Sequence, residues 1–162
     1  MTPILTPIQK LAQLLTGLTS DTGEVIQRII TGTPLQPEPA DFPLLVIEVD
    51  PETDIPFQMH TLGHAHMTYT LNVFVFVGTP AAGTPLEELH NLAAAWVFPL
   101  GARMVSDISL GAEILMQGFG GVDQGSEDVF RCRIQGIPWN GKWFYGVAGK
   151  LPLKEEWTTP MA

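Results

Sequence analysis

The sequence is poor in three things: cysteine, positive charge and long apolar runs. Its single cysteine, Cys132, cannot form an intramolecular disulfide, and the chain opens without the charged and apolar stretches of a secretory leader, so we expect a cytosolic protein. Only 8 Lys and Arg oppose 17 Asp and Glu, and the net charge of −9 argues against a surface that binds nucleic acid by neutralising phosphates. The longest apolar runs, 44–49 and 71–77, are far shorter than the about 20 residues that cross a bilayer, so no membrane association is predicted.

Glycine and proline, by contrast, are abundant, with 16 and 14 of the 162 residues. A chain of this length forms one compact domain by default, and we expect a single domain over 1–162 with short elements and many loops. Three irregular segments are predicted: a proline-rich connector over 30–43, a polar loop over 50–63, and an acidic, glycine-rich loop over 117–128. Long loops of this kind are often used in contacts with other molecules.

The longest strand-forming run is 67–78, MTYTLNVFVFVG. Its odd-numbered residues from Tyr69 to Val77 form one face at a period of two, and the other face changes from threonine to Phe74 and Phe76. A strand that becomes apolar on both faces is typical of the interior of a sheet. We therefore predict an inner strand with a helix packed on one face.

Capping residues and apolar spacing predict three helices. The first begins at Thr6-Pro7 and ends near Gly17, and a short second helix lies within 21–30. The best-defined helix follows Thr84 and covers 85–98, because Pro85 suits a first helical position and apolar residues recur along one face.

Further strands are predicted over 44–49, 113–116, 129–135 and 142–150. Asn140-Gly141 is a strong signal for a two-residue hairpin turn between the last two of these. Within 130–135, apolar residues alternate with Arg131, Arg133 and Gln135, which predicts one buried and one wet face. The order of the elements predicts an α+β fold: a single domain with a mainly antiparallel sheet and helices packed on one face.

His60, His64 and His66 form the spacing H-x3-H-x-H, and imidazoles two apart on a strand project to the same side. A metal-binding enzyme that uses these three residues is one hypothesis. Solvated loop histidines are the alternative interpretation, because no acidic or cysteine ligand accompanies them at close spacing. The run GFGGVDQG over 118–125 resembles a phosphate-binding loop only superficially, since it lacks the lysine of that motif and carries acids nearby. No cofactor is predicted.

Two other features have both a chemical and a structural interpretation. The carboxylates Glu48, Asp50, Glu52 and Asp54 alternate along a strand end, as an acid and base pair could, but a solvated acidic rim is the favoured interpretation. Cys132 shares the phase of its apolar neighbours, which favours a thiol packed in the core over a nucleophile.

The predicted hairpin over 139–145 is rich in aromatic residues. Trp143 and Tyr145 share one face of the strand, and Phe144 lies on the other. A small adaptor module that binds a partner protein through this hairpin is a further hypothesis. Packing in the sheet core, together with a contact between subunits, is the favoured interpretation.

The chain thus consists of an amphipathic helix, a proline-rich connector that leads into PLLVIEVD, the strand HMTYTLNVFVFVG, the helix TPLEELHNLAAAWVFPL and the closing strand FYGVAGKLPL. This order resembles that of the tail terminator and head-to-tail joining proteins of long-tailed bacteriophages. The resemblance is one of layout and extends over nearly the whole chain. It implies an α+β structural subunit without enzymatic activity, which forms a ring, usually a hexamer, in the tail or neck of the virion.

The resemblance also implies the partners of that ring. The ring would terminate the tail tube, join it to the head connector or stopper protein, and assemble in the host cytoplasm. DNA would pass without being specifically bound, because an acidic lumen repels phosphate. Under this hypothesis loops and the aromatic hairpin contact the tail tube protein and neighbouring subunits. The residues predicted at protein interfaces are Asp50, Glu52, Asp54, Phe57, Met59, Phe119, Asp123, Glu127, Trp139 and Trp143.

Overall fold

The computed structural model describes residues 5–32, 41–61, 64–80, 83–106, 114–116 and 130–158, which form two helices and seven strands. The helices are α1 (Leu5–Leu15) and α2 (Leu86–Ser106). The strands are β1 (Arg28–Thr31), β2 (Leu44–Val49), β3 (Phe57–Thr61), β4 (His64–Gly78), β5 (Ile114–Met116), β6 (Arg131–Trp139) and β7 (Lys142–Thr158).

All seven strands join one sheet, at the centre of which β4 and β7 run antiparallel over nearly their whole length. On one side of this pair, β2 and β3 each attach to β4; on the other side, β5 and β6 each attach to β7. The pairing of β1 with β2 is parallel, and the other pairings are antiparallel. The predicted α+β fold with a mainly antiparallel sheet is therefore confirmed.

Both helices cover the same face of the sheet, as predicted. α1 packs on β1 and β2, and α2 packs on β4, β6 and β7. The core between the layers contains the odd-numbered residues of β4 from Met67 to Val75, and the fully buried Trp96 of α2. The opposite face of the sheet has a second, smaller core with Leu44, Val46, Phe76, Ile137 and Phe144. No helix covers that face among the described residues.

The first helix has the predicted bounds to within a residue or two, and Gly17 follows it with a φ of 75°. The short helix predicted within 21–30 is wrong. Instead the Ser20 hydroxyl accepts hydrogen bonds from the amides of Thr22 (3.3 Å) and Glu24 (3.1 Å), which forms a tight turn, and β1 follows. β-branched residues such as Ile29 favour a strand, and β2 supplies a partner for it.

α2 continues to Ser106, beyond the predicted end at 98, although Pro99 lies inside it. Pro99 has no N–H to donate to the carbonyl of Ala95 one turn earlier. That carbonyl instead accepts a hydrogen bond of 2.9 Å from the backbone N–H of Asp21, which therefore makes up for the missing donor. Neither described helix is long and apolar enough to cross a membrane.

The predicted loops are shorter than expected where the structure describes them. β1 includes the first two residues of the predicted connector, and β3 occupies 57–61 of the loop predicted over 50–63. Residues 33–40 and the predicted loop over 117–128 lie outside the described residues. The central strand begins at His64 rather than 67, and β7 extends to Thr158 because it follows β4 along its whole length. Asn140 and Gly141, both with positive φ, form the predicted hairpin turn between β6 and β7.

Gly146 of β7 pairs with Phe76 of β4, beside the register shift between Phe76 and Gly78. A Cβ on Gly146 would overlap the Val75 carbonyl, so we expect Gly146→Ala to lower the free energy of unfolding by about 1–3 kcal/mol or more. Gly101, inside α2, is the matched control, because a Cβ there meets nothing within 4 Å. Gly101→Ala should raise stability by about 0.5–1 kcal/mol. Urea unfolding measures both, and equal stability of wild type and Gly146→Ala would contradict the close approach.

Candidate functional site

The face of the sheet without a helix has a polar row that crosses four strands. The pairing registers place Glu48 of β2, Asn72 of β4, Lys150 of β7 and Arg131 of β6 side by side. Residues directly opposite each other in an antiparallel sheet point to the same face. The row therefore joins an acidic side, formed by β2, to a basic side, formed by β6 and β7.

Asp50, immediately after β2, stabilises the acidic end of this row. Its residue is only 4% exposed, and its carboxylate accepts hydrogen bonds from the Lys150 ammonium (3.0 Å), the Thr53 hydroxyl (2.8 Å) and the Glu52 N–H (3.0 Å). Burial alone would raise the pKa of Asp50, but these three donors outweigh it and hold the pKa below its ordinary value. Asp50 is therefore a weak proton acceptor at neutral pH, and it orders the loop after β2 and the Lys150 side chain.

Asn72, at the centre of the row, has an unsatisfied acceptor. The residue is 5% exposed, and its side-chain nitrogen donates to Glu48 Oε1 at 3.2 Å. Because a carboxylate only accepts hydrogen bonds, the amide nitrogen must face Glu48 and the amide oxygen must point away from it. That oxygen, Oδ1, has no hydrogen-bond partner among the described residues. A buried acceptor without a partner costs about 1–3 kcal/mol, so Asn72 is a locally destabilising part of the row.

The polar row lines a groove of about 580 Å³. Next to the row, the floor becomes apolar, with Phe74 and Ala148. Trp139 closes this end of the groove, and its ring meets those of Phe74 (5.7 Å between centroids) and Phe76 (5.8 Å) edge to face. We name this site the basic groove and define it by the residues Asn72, Phe74, Arg131, Arg133, Trp139 and Lys150.

The positive charge of the chain is concentrated on this face. Five of the eight Lys and Arg residues belong to β6 and β7, and their registers place all five on the face without a helix. These five are Arg131, Arg133, Lys142, Lys150 and Lys154. The carboxylates of the groove lie on the β2 side, at Glu48, Asp50 and Glu52, so the β6 side presents a localised basic wall. This wall attracts an acidic partner over about a Debye length of 10 Å.

A second candidate surface lies on the helix side of the sheet, at the far end of β3. Phe57 and Met59 are 69% and 74% exposed. Phe57 pairs with Met67, a buried residue of the core beneath the helices, so the two exposed side chains lie on the helix side. We call Phe57 and Met59 the apolar pair.

The structure separates the other predicted interface residues. Glu52 and Asp54 are exposed on the loop after β2, and Glu52 lines the basic groove. Trp143 is exposed on the opposite face from Trp139, with its ring against Gly136, so the two tryptophans form no common surface. Phe119, Asp123 and Glu127 lie outside the described residues.

For Asp50, the interpretation as part of a solvated acidic rim is wrong, because Lys150 and the loop after β2 bury it. The sequence analysis also missed Asn72 and Lys150 as site residues. The alternation around Arg131 and Arg133 did indicate a wet face, and that face is confirmed. No local pattern in the sequence indicates the groove itself, because the groove depends on which strands become neighbours in the sheet.

The predicted metal ligands do not form a described site. His64 is exposed, His66 is buried, and the side chain of His60 lies outside the described residues. Within the described part of the chain, no three His, Cys, Asp or Glu residues are grouped as metal ligands. Cys132 is half-buried against the main core, as predicted, and burial raises the pKa of its thiol.

The carboxylate of Asp50 makes stability depend on pH. Asp50→Asn removes the charge that Lys150 and the other two donors face, so we expect the free energy of unfolding at neutral pH to fall by about 1–3 kcal/mol. The pKa of Asp50 in the folded protein lies below the value of about 3.9 expected when unfolded. Its stabilising contribution is therefore complete above that value, and it is lost as the pH falls through the lowered pKa.

The stability difference between wild type and Asp50→Asn should accordingly shrink below about pH 4, as followed by urea unfolding across an acid titration. Asp54→Asn, a change of the same type at an exposed position of the same loop, should alter stability by less than about 0.5 kcal/mol at neutral pH. A difference for Asp50→Asn that stays constant into strong acid would contradict the proposed role of the carboxylate.

A search against protein-family models and a search of curated proteins both find no match for this chain. The resemblance to phage tail terminator and joining proteins therefore stays a prediction from the order of the elements.

Proposed function

We propose that the protein is a structural subunit of a bacteriophage tail or neck, which assembles into a ring that terminates the tail tube and joins it to the head connector or stopper protein. The observation that carries this proposal is the apolar pair. Phe57 and Met59 stand next to each other on one face of β3, and both are more than two-thirds exposed. Exposed apolar surface of this kind is typical of a protein–protein contact.

The free energy gained by burying the apolar pair supports a contact between proteins. Full burial of a side chain such as Phe or Met contributes about 1.5–3 kcal/mol each. Two such side chains in every interface of a closed ring contribute repeatedly, because each subunit uses the same contact. β3 pairs with the first residues of β4, away from the part of β4 that pairs with β2.

The long central strands place the apolar pair where a neighbouring subunit can contact it. β4 has 15 residues and β7 has 17, and at about 3.3 Å per residue β4 alone is about 50 Å long. The apolar pair lies beside the first residues of β4, opposite the end that leads to α2. The central ribbon thus carries the apolar pair to one end of the subunit, where it can contact a second subunit or the tail tube protein.

The charge of the chain suits a channel for DNA. With five of the eight basic residues on one sheet face, only three remain for the rest of the surface. The acidic residues described outside the groove include Asp21, Glu24, Asp41, Asp54, Glu87 and Glu88. A lumen formed by that remaining surface would repel phosphate, so DNA would pass without being bound. In this proposal the protein needs no cofactor and catalyses no reaction.

The apolar pair provides the test of this function. We expect purified wild-type protein to form a defined oligomer, alone or on tail tubes, and the double variant Phe57→Ser/Met59→Ser to lose that association. Gln58→Ser is the matched control, because residue 58 is exposed on the same strand but points to the other face. Light scattering after size exclusion and negative-stain images with tail tubes measure both. A wild-type protein that stays monomeric and ignores tubes would overturn the proposal.

A further inference from the structure

We propose that the basic groove is a second contact between subunits, in addition to the apolar pair, and that its occupant is the first turn of α2 from a second copy of this chain. This inference rests on the proposed function and specifies the interface that would close the ring. The turn consists of Leu86, Glu87 and Glu88, and we call it the acidic turn. Its three side chains are exposed, and Leu86 is 59% exposed.

The basic groove has two features that an occupant has to match. Arg131 and Arg133 are exposed on the wall formed by β6 and favour negative charge. The floor at Phe74 and the ring of Trp139 favour an apolar group.

The acidic turn offers both. Glu87 and Glu88 supply two carboxylates, and Leu86 supplies an apolar side chain next to them. All three side chains are exposed, so a neighbouring subunit can contact them.

The two surfaces also have the arrangement that a ring requires. α2 packs on the helix side of the sheet, whereas the basic groove lies on the other side. One subunit can therefore insert its acidic turn into one neighbour and receive the turn of another neighbour in its own groove. Such head-to-tail contacts close into a ring when the rotation between subunits permits it.

The other exposed acids near the groove fit this role less well. Glu52 lines the groove of its own chain, and Asp54 follows it on the same loop. Glu52 thus contributes to the acidic rim that borders the basic wall. An arriving carboxylate is consequently directed toward Arg131 and Arg133, away from that rim, which sets the orientation of the occupant.

Charge reversal provides a sharp test. The groove variant Arg131→Glu/Arg133→Glu has an acidic groove and keeps its acidic turn, and the turn variant Glu87→Lys/Glu88→Lys has a basic turn and keeps its basic groove. Each variant alone should remain monomeric, because its own two surfaces now repel each other. All four positions are exposed, so both variants should stay folded, and circular dichroism and thermal unfolding check this.

An equimolar mixture of the two variants should assemble again. The acidic turn of the groove variant fits the basic groove of the turn variant, and the basic turn fits the acidic groove, so the two subunits alternate. Light scattering should therefore show the oligomer only in the mixture. Leu86→Ser should weaken the association of an otherwise wild-type chain about tenfold or more. Lys10→Glu, a charge reversal at an exposed site on α1, is the control and should assemble like wild type.

The outcomes distinguish this inference from the proposed function. If wild type assembles and each variant also assembles alone, the groove is not the contact and the inference is overturned, while the proposed function stands. If each variant is monomeric and the mixture stays monomeric, the acidic turn is not the occupant and the inference is again overturned. If wild type fails to assemble alone and on tail tubes, the proposed function itself is overturned.

Discussion

The pairing of β4 with β7 is the interaction on which the rest of the structure depends. The two strands run antiparallel from the His64–Thr158 pair to the Gly78–Tyr145 pair, and every other strand except β1 attaches directly to one of them. The pairing requires glycine at Gly146, where a side chain would meet the neighbouring backbone. Because the paired residues are far apart in the sequence, most of the chain forms a loop when they meet. The loss of chain entropy in that step has to be offset by the apolar layers on both faces of the ribbon.

The two faces of the ribbon are covered in different ways, and the groove results from this difference. On one face α1 and α2 bury the odd-numbered residues of β4, and the Arg103 guanidinium joins the two helices by donating to the Leu14 carbonyl at 2.9 Å. On the other face, aromatic rings pack against one another at the end of the ribbon near Phe76. From Phe74 toward Asn72 the same strand changes from apolar to polar. The basic groove occupies that transition between aromatic cover and charged surface.

Local patterns in the sequence predicted the elements, and contacts between remote segments decided where the prediction was wrong. The alternation in β4 and the capping residues of α1 act over a few positions, so the central strand and that helix are confirmed. The end of α2 was wrong because a remote residue, Asp21, donates to the Ala95 carbonyl that Pro99 leaves without its helical donor. The burial of Asp50 depends in the same way on Lys150, which is 100 positions away. The sequence indicated that Arg131 and Arg133 are exposed to solvent. Only the register of the strands shows that they face the same groove as Asn72.

The distribution of charge has a cost that a partner could offset. Arg131 lies directly opposite Lys150, and like charges at such a position in a sheet are destabilising. Asp50 compensates for Lys150 alone, while Arg133 adds a further cation on the same face. Eight basic residues could lie far apart on the surface of a protein of this size without any loss of solubility. In the proposed ring, an acidic turn from the neighbouring subunit would remove this repulsion within each interface. The basic residues of the groove would then be buried between subunits, and the surface that faces the DNA would be acidic. One separation of charge would thus account both for attraction between subunits and for repulsion of the DNA that passes through them.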